Sequence, residues 1–194
     1  MAGRSRTVLV LHNEPRPGGA AGHLESDAGV LAEAAAVADA LRAAGVPHRV
    51  AGIRSLREVG DALLGGEERI VFNLVESLHD DPEGAALVPA VCASFGLSCT
   101  GSDTEQLLVT LDKWRAKAVL REAGLPVPAG ALVPAGTSAP LGVVPEGPLI
   151  VKPARTDASE GILAATSVCP SPGPKLDEAI RAVHDRFGQA ALVE

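Results

Sequence analysis

The sequence predicts an α/β protein that begins with a doubly wound parallel sheet. Two observations over residues 1–105 predict it. Short runs rich in Val, Ile and Leu alternate with segments of helical periodicity, and clusters of Gly and Pro separate them. Strands that alternate with helices in this way are typical of a parallel sheet covered by helices. Of the 194 residues, 46% are hydrophobic but only 2% are aromatic, so aliphatic side chains must build the core.

The first region is expected to contain four strands joined by helices. Apolar residues recur at helical spacing from Glu25 to Ala44, and Gly45 ends that helix. Ser55 is placed to cap the next helix, which reaches Leu64. The third strand is apolar enough to be buried on both faces. The expected strands are residues 7–12, 46–53, 69–77 and a short run within 96–102, and a further helix is expected over 83–95.

A change of pattern near residue 105 predicts two domains, 1–105 and 106–194. The second region opens with two helical segments and continues with extended, proline-rich and strand-like stretches. The expected helices are 104–110, 112–123 and 175–187, and the expected strands are 149–155, 162–168 and a final run over 189–194. That final strand is expected to lack its partners.

Charge and composition exclude several classes of function. The formal charge of −7 and the scarcity of aromatic residues argue against a nucleic-acid partner, which needs basic patches or stacking platforms. No stretch approaches the about 20 apolar residues of a membrane helix, and the N-terminus has no signal-peptide pattern. Cys92, Cys99 and Cys169 have neither zinc nor redox-motif spacing, so reduced thiols in the cytoplasm are expected.

The segment LIVKPARTDASEG, residues 149–161, carries the clearest chemical signal. Alternation along a strand places Ile150 and Lys152 on one face, where they could contact a base and a phosphate. The small residues of the following loop could bring N–H groups close to an anion. Lys113 and Lys117 lie four apart on a predicted helix and share a face. The alternatives are a solvated edge lysine at 152 and an ordinary basic face at 113 and 117. Lys113 gains a role only if it points toward Lys152.

The order of several motifs resembles the D-alanine–D-alanine ligase branch of the ATP-grasp superfamily. The motifs are FNLVES, PEG, GLSCTGS, LDKWRAKAVLREAGLPVP, LIVKPA and LVE, and together they cover essentially the whole chain. The resemblance implies a pre-ATP-grasp domain followed by the first ATP-grasp subdomain. It also implies an ATP-dependent carboxylate–amine ligase that forms a peptide-like bond through an acyl phosphate, with a place in peptidoglycan synthesis. The expected partners are ATP, Mg²⁺ and small amino acids, and a homodimer is a family expectation.

Specific roles follow from the same resemblance. Lys113 and Lys152 would contact the phosphates of ATP, and Ile150 would pack on the adenine. Glu194 would be the first residue of the interdomain hinge segment that hydrogen-bonds the edge of the adenine. The loop from Thr156 to Gly161 would close over the phosphates. The candidate catalytic residues are Glu25, with Asp27 as the alternative alignment, and Ser159, and the candidate nucleotide-binding residues are Lys113, Ile150, Lys152, Ser159, Gly161 and Glu194.

The sequence departs from the family pattern in two respects. The loop reads TDASEG, with Asp157 and Ala158 where Gly and Ser are usual, which favours a ligase for a different amino-acid pair. The family holds Mg²⁺ on a C-terminal subdomain that does not follow Glu194. The 194-residue chain is therefore expected to be an incomplete fragment with little or no ligase activity. A non-catalytic nucleotide-binding or interaction module, and a doubly wound domain without a nucleotide site, are the remaining alternatives.

Overall fold

A computed structural model describes most of the chain. The described residues are 7–14, 21–78, 82–138, 144–156, 161–162 and 167–194, without the side chains of 21–28 and 82. The chain divides into two compact units, with the boundary between Leu108 and Val109. Among the described residues, no helix combines the length and the apolar character needed to cross a membrane.

The first unit contains a four-stranded sheet in which every paired strand is parallel. Its strands are β1 (Val8–Asn13), β2 (His48–Ile53), β3 (Ile70–Leu74) and β4 (Ser98–Cys99), in the order β2-β1-β3-β4. The chain moves outward from β1 to β2 and then returns past β1 to β3 and β4, which is doubly wound topology. The predicted α/β class and parallel sheet are confirmed. All six residues of the central strand β1 are buried.

Helices connect these strands. They are α1 (Ala21–Ala43), α2 (Leu56–Leu63), α3 (Pro82–Ala86) and α4 (Val88–Ser94). A further helix, α5 (Thr104–Leu111), follows β4 and contains the boundary between the two units. Ser55 caps α2 as predicted, because its hydroxyl accepts a hydrogen bond from the Glu58 N–H at 3.3 Å. Val59 and Leu63 of α2 are buried in the core with Leu9, Leu11, Ile53 and Val71.

Two expectations for the first unit were wrong. The single helix over 83–95 is two helices, α3 and α4, separated at Leu87. Pro89 explains the break, because it has no N–H to donate to residue 85 and its ring crowds that carbonyl. The strand β3 is not buried on both faces, since only Val71 is fully buried and Ile70 is exposed.

The second unit contains a separate antiparallel sheet. Its strands are β5 (Ala131–Val133), β6 (Leu149–Pro153), β7 (Val168–Cys169) and β8 (Ala191–Val193), in the order β5-β8-β6-β7. The expectation that the final strand lacks partners was wrong, because β8 pairs with both β5 and β6. Most of the strand expected over 162–168 lies outside the described residues.

One face of this sheet is covered by a helix, and α6 (Lys113–Glu122) precedes the sheet in the chain. The covering helix, α7 (Pro174–Phe187), buries Leu176, Ala179, Ile180 and Val183. These residues form one apolar stripe at helical spacing, which packs with Val133, Val151 and Val193. Gly188 ends α7 in the left-handed conformation, at φ 62°, where a residue without a Cβ is favoured. Since α7 covers one face of the sheet, the side chains on the opposite face of β6 are free of this packing.

Candidate functional site

The strand β6 presents two different faces. Leu149, Val151 and Pro153 are buried, whereas Ile150 and Lys152 are half-buried. Because side chains alternate along a strand, Ile150 and Lys152 share the face that is not buried in the core. This placement agrees with the sequence prediction. Glu194 extends the neighbouring strand, since its N–H donates to the Ile150 carbonyl at 3.0 Å and the Ile150 N–H donates to the Glu194 carbonyl at 2.7 Å.

The carboxylate of Glu194 lies between two lysines. Its Oε2 accepts a hydrogen bond from the Lys152 ammonium at 2.6 Å, and its Oε1 accepts one from the Lys117 ammonium. The side chains of Lys117, Glu194 and Lys152 are 8%, 9% and 25% exposed. The group is therefore closed on the Lys117 side and more open at Lys152. We call these three residues the Lys–Glu–Lys cluster.

The environment of Glu194 favours its charged form. Burial raises the pKa of Glu194, but the hydrogen bonds from Lys117 and Lys152 outweigh burial and hold the pKa below the ordinary glutamate value. The carboxylate is therefore ionised at neutral pH. With both lysines protonated, the cluster carries one excess positive charge.

Lys113 contacts a different part of the same unit. Its ammonium donates to the Thr156 carbonyl, and its backbone N–H donates to the Ala154 carbonyl at 3.0 Å. The start of α6 is thus tied to the segment that follows β6. Lys117, one turn later, is the lysine that shares a partner with Lys152.

Asp112 anchors the start of α6. Its carboxylate accepts from the N–H groups of Trp114 and Arg115, both at 3.0 Å, and from the Arg155 guanidinium at 3.1 Å. Burial raises the pKa of Asp112, but these donors outweigh it and hold the pKa below the ordinary aspartate value. The carboxylate therefore caps the helix and forms an ion pair with Arg155.

The loop after β6 is described only at its ends. Ser159 lies outside the described residues, as does the rest of 157–160. Gly161 is described, with φ at 76°. A Cβ at this position would lie 2.6 Å from the Phe187 ring and 2.8 Å from Pro153. Steric fit therefore accounts for a glycine at 161 independently of any phosphate contact.

Polar residues also meet at the carboxyl ends of strands in the first unit. The Asn13 side-chain oxygen accepts from the Glu76 N–H at 3.1 Å, and Glu14 forms an ion pair with Arg54. Gly52 gives Glu14 room, because a Cβ there would overlap the Glu14 side chain. Glu25 and Asp27 lie in α1, but their side chains are outside the description.

The described residues offer no ready magnesium site. Among them, no group of three or more His, Cys, Asp or Glu side chains could hold a metal ion. The carboxylates nearest the β6 face, Glu194 and Asp112, already accept from cationic side chains. Neither is arranged as a magnesium ligand, which would prefer several oxygens around one cation.

Comparison with curated proteins identifies relatives. The chain is 31% identical over 164 residues to a D-alanine–D-alanine ligase of Caulobacter sp. strain K31, which is 84% of this chain and 48% of the relative. It is 30% identical over 160 residues to the same kind of enzyme from Alkalilimnicola ehrlichii, at 82% and 47%. The chain is therefore a relative of the D-alanine–D-alanine ligases, which are ATP-grasp enzymes.

Solved structures of ATP-grasp proteins share the fold. A D-alanine–D-alanine ligase from Bacillus anthracis superposes with a TM-score of 0.70 at 14% identity, over 97% of this chain and 56% of that one. The biotin carboxylase domain of a Hydrogenobacter thermophilus 2-oxoglutarate carboxylase gives 0.59 at 14% identity, over 97% and 44%. No protein-family model matches the chain. This ligase-like chain spans about half the length of the curated relatives it matches.

Three residues of the site in this ligase-like protein were not predicted from the sequence to contribute to it. Lys117 was treated as a face neighbour of Lys113, and Asp112 and Arg155 were given no role. The spacing of four residues between Lys113 and Lys117 was the available signal. It could not show which of the two lysines reaches Glu194, because that contact spans 77 residues of sequence.

Proposed function

We propose that this chain is the nucleotide-binding part of an ATP-dependent carboxylate–amine ligase of the D-alanine–D-alanine ligase type. In that reaction one amino-acid carboxylate becomes an acyl phosphate, which the amine of a second amino acid attacks to form a peptide-like bond. The supporting observation is the face of β6, where Ile150 and Lys152 lie side by side next to the buried carboxylate of Glu194.

The charges at this face suit a phosphate chain. Lys113, Lys117 and Lys152 provide three positive charges in one unit, and Glu194 offsets one of them. A lysine ammonium has three N–H donors, and the contact with Glu194 uses one of those on Lys152. Charge-assisted hydrogen bonds to phosphate contribute about 1.5–3 kcal/mol each. Lys152 and Lys113 are accordingly proposed to bind phosphate oxygens.

The adenine would be recognised next to Lys152 on the same strand face. Ile150 offers an apolar surface for the base. A carboxylate has about four lone-pair sites, and the two lysines use two of those on Glu194. The remaining sites could accept from the exocyclic amine of adenine. Two of the solved relatives were determined with nucleotides, the Bacillus anthracis ligase with ATP and the Hydrogenobacter domain with MgADP, which supports this choice of ligand.

Magnesium and the amino acids are proposed to be bound partly by residues other than those described. Mg²⁺ would offset charge on the transferred phosphoryl group. Because Glu194 and Asp112 are paired with cations, its ligands are expected in the half of the relatives' length that this chain does not match. Glu25 and Ser159 remain proposed contacts for the first amino acid and the reacting groups. We expect the 194 residues alone to show little or no ligase activity. We place the protein in the cytoplasm, where an ATP-consuming enzyme has its nucleotide.

One specific observation favours a second candidate within the same chemistry. Asp157 and Ala158 replace the Gly and Ser that are usual in the phosphate loop of the family. An acidic side chain close to phosphate is unfavourable unless it is paired, for example with a cationic substrate. A ligase for an amino-acid pair other than two D-alanines is therefore the runner-up.

Calorimetric titration of the 194-residue chain tests the nucleotide assignment. We expect ATP to bind more tightly than adenosine, because the phosphates add contacts to lysines. Binding of adenosine and ATP with equal affinity would contradict phosphate binding by this face. No binding of either ligand by the folded chain would favour a fold that is used without the nucleotide. Adding D-alanine or other amino acids to the ATP titration would distinguish the two substrate candidates.

A further inference from the structure

Lys117 is the most buried member of the Lys–Glu–Lys cluster, at 8% exposure, and it was not among the predicted nucleotide contacts. A buried lysine is costly unless it is paired. Its ammonium is paired with Glu194 Oε1 and lies 6.0 Å from the centre of the Trp114 ring. Both contacts lie on the closed side of the cluster, away from the more exposed Lys152.

The two oxygens of Glu194 are divided between the two lysines. Oε1 accepts from Lys117 and Oε2 accepts from Lys152. This division fixes the rotation of the carboxylate, and it leaves Lys152 with one oxygen only. Without Lys117, both oxygens would face a single cation, and the excess positive charge of the cluster would fall from one to zero.

From this geometry we infer that Lys117 is a positioning residue for the nucleotide site. Lys117 fixes the orientation of the Glu194 carboxylate. Glu194 then positions the Lys152 ammonium with one oxygen, and the positive charge of Lys152 stays available for a phosphate. The inference rests on the proposed nucleotide function, because it concerns the same site. Lys117 acts through Glu194 and makes no contact with the ligand.

A purely structural role for Lys117 would have different consequences. Loss of a buried ion-pair partner would then lower stability while leaving the reactivity of Lys152 unchanged in the folded protein. A positioning role changes the state of Lys152 itself. The distinguishing readout is therefore the rate at which an amine-directed acylating reagent modifies Lys152, followed by mass spectrometry with no nucleotide present.

The experiment compares Lys117→Met, Glu194→Gln and the double variant in the 194-residue chain. Arg121→Met is the matched control, because it removes an exposed cation from the same helix. In Lys117→Met, Lys152 is expected to react at least threefold more slowly and ATP to bind about tenfold more weakly. In the double variant, Lys152 should react at least as fast as in the wild type, and ATP affinity should return to within about threefold of Glu194→Gln.

The double variant also guards against misfolding, because removing both partners leaves no unpaired buried charge. Unchanged Lys152 reactivity in folded Lys117→Met would overturn the inference and leave the proposed function standing. An equal loss of ATP affinity on removing Lys117 from the Glu194→Gln protein would also overturn it, since Lys117 would then act on the ligand directly. If the wild-type chain does not bind ATP, the proposed function fails, and the labelling result still decides the role of Lys117.

Discussion

Lys152 and Glu194 lie diagonally across two neighbouring strands, with the lysine ammonium 2.6 Å from the carboxylate oxygen. The backbone fixes the position of Glu194 beside β6, because Ile150 and Glu194 form two main-chain hydrogen bonds with each other. A cation and a carboxylate are therefore held at the half-buried face of β6 by main-chain register as well as by side-chain contact.

Acid should weaken the second unit through Glu194. The pKa of this carboxyl is lower in the folded protein than in the unfolded chain, so its stabilisation is full above the unfolded value of about 4.3 and is lost as the pH falls through the folded value. We expect the stability advantage of the wild type over Glu194→Gln to be smaller at pH 3 than at pH 7. Urea unfolding at the two pH values measures the difference. An unchanged difference between the two proteins would show that Glu194 does not titrate with folding.

Gly161→Ala should destabilise the second unit more than Gly136→Ala. Both glycines have φ near 76°, at 76° and 77°, so the backbone strain of adding a Cβ is matched. Only Gly161 has neighbours that a Cβ would strike, the Phe187 ring and Pro153. We expect about 1–2 kcal/mol from strain at either position and about 1–3 kcal/mol more from crowding at 161. Equal losses in the free energy of unfolding would refute the steric account.

Asp112→Ala should cost more stability than Asp112→Asn. Alanine removes the cap of α6 and the partner of Arg155, whereas asparagine keeps a capping oxygen and removes only the charge. We expect a loss of about 1–2 kcal/mol for alanine and less than half of that for asparagine. Thermal unfolding of the two variants measures both values. Equal losses would assign the effect to the ion pair with Arg155 and not to the cap.

The sequence predicted those features that depend on local pattern. Alternation along 149–153 placed Ile150 and Lys152 on one face, and Ser55 was recognised as a helix cap before the structure showed its bond to Glu58. The break at Leu87 was missed, although Pro89 was visible, because the apolar periodicity continues through it. The predicted roles of Glu25 and Ser159 remain predictions.

Long-range pairing could not be predicted in the same way. The expectation that the last strand lacks partners failed because the residues of β5 and β6 that pair with β8 lie 38 to 62 residues earlier in the sequence. Which of Lys113 and Lys117 pairs with Glu194 could not be predicted for the same reason, because that contact is also long-range in sequence. One turn of helix separates the two lysines, and only the packing of α6 within its unit decides which one reaches the carboxylate.

Calorimetric binding of ATP to Lys152→Met, next to Lys175→Met, tests the central claim most directly. Lys175 is an exposed lysine of α7 in the same unit, so both variants lose one positive charge. Loss of a charge-assisted contact worth about 1.5–3 kcal/mol predicts an affinity that is about tenfold to a hundredfold weaker for Lys152→Met. For Lys175→Met we predict a change of less than about twofold, because its exposed charge is screened by solvent and salt. Equal affinities of the wild type and Lys152→Met would contradict a nucleotide site on this face of β6.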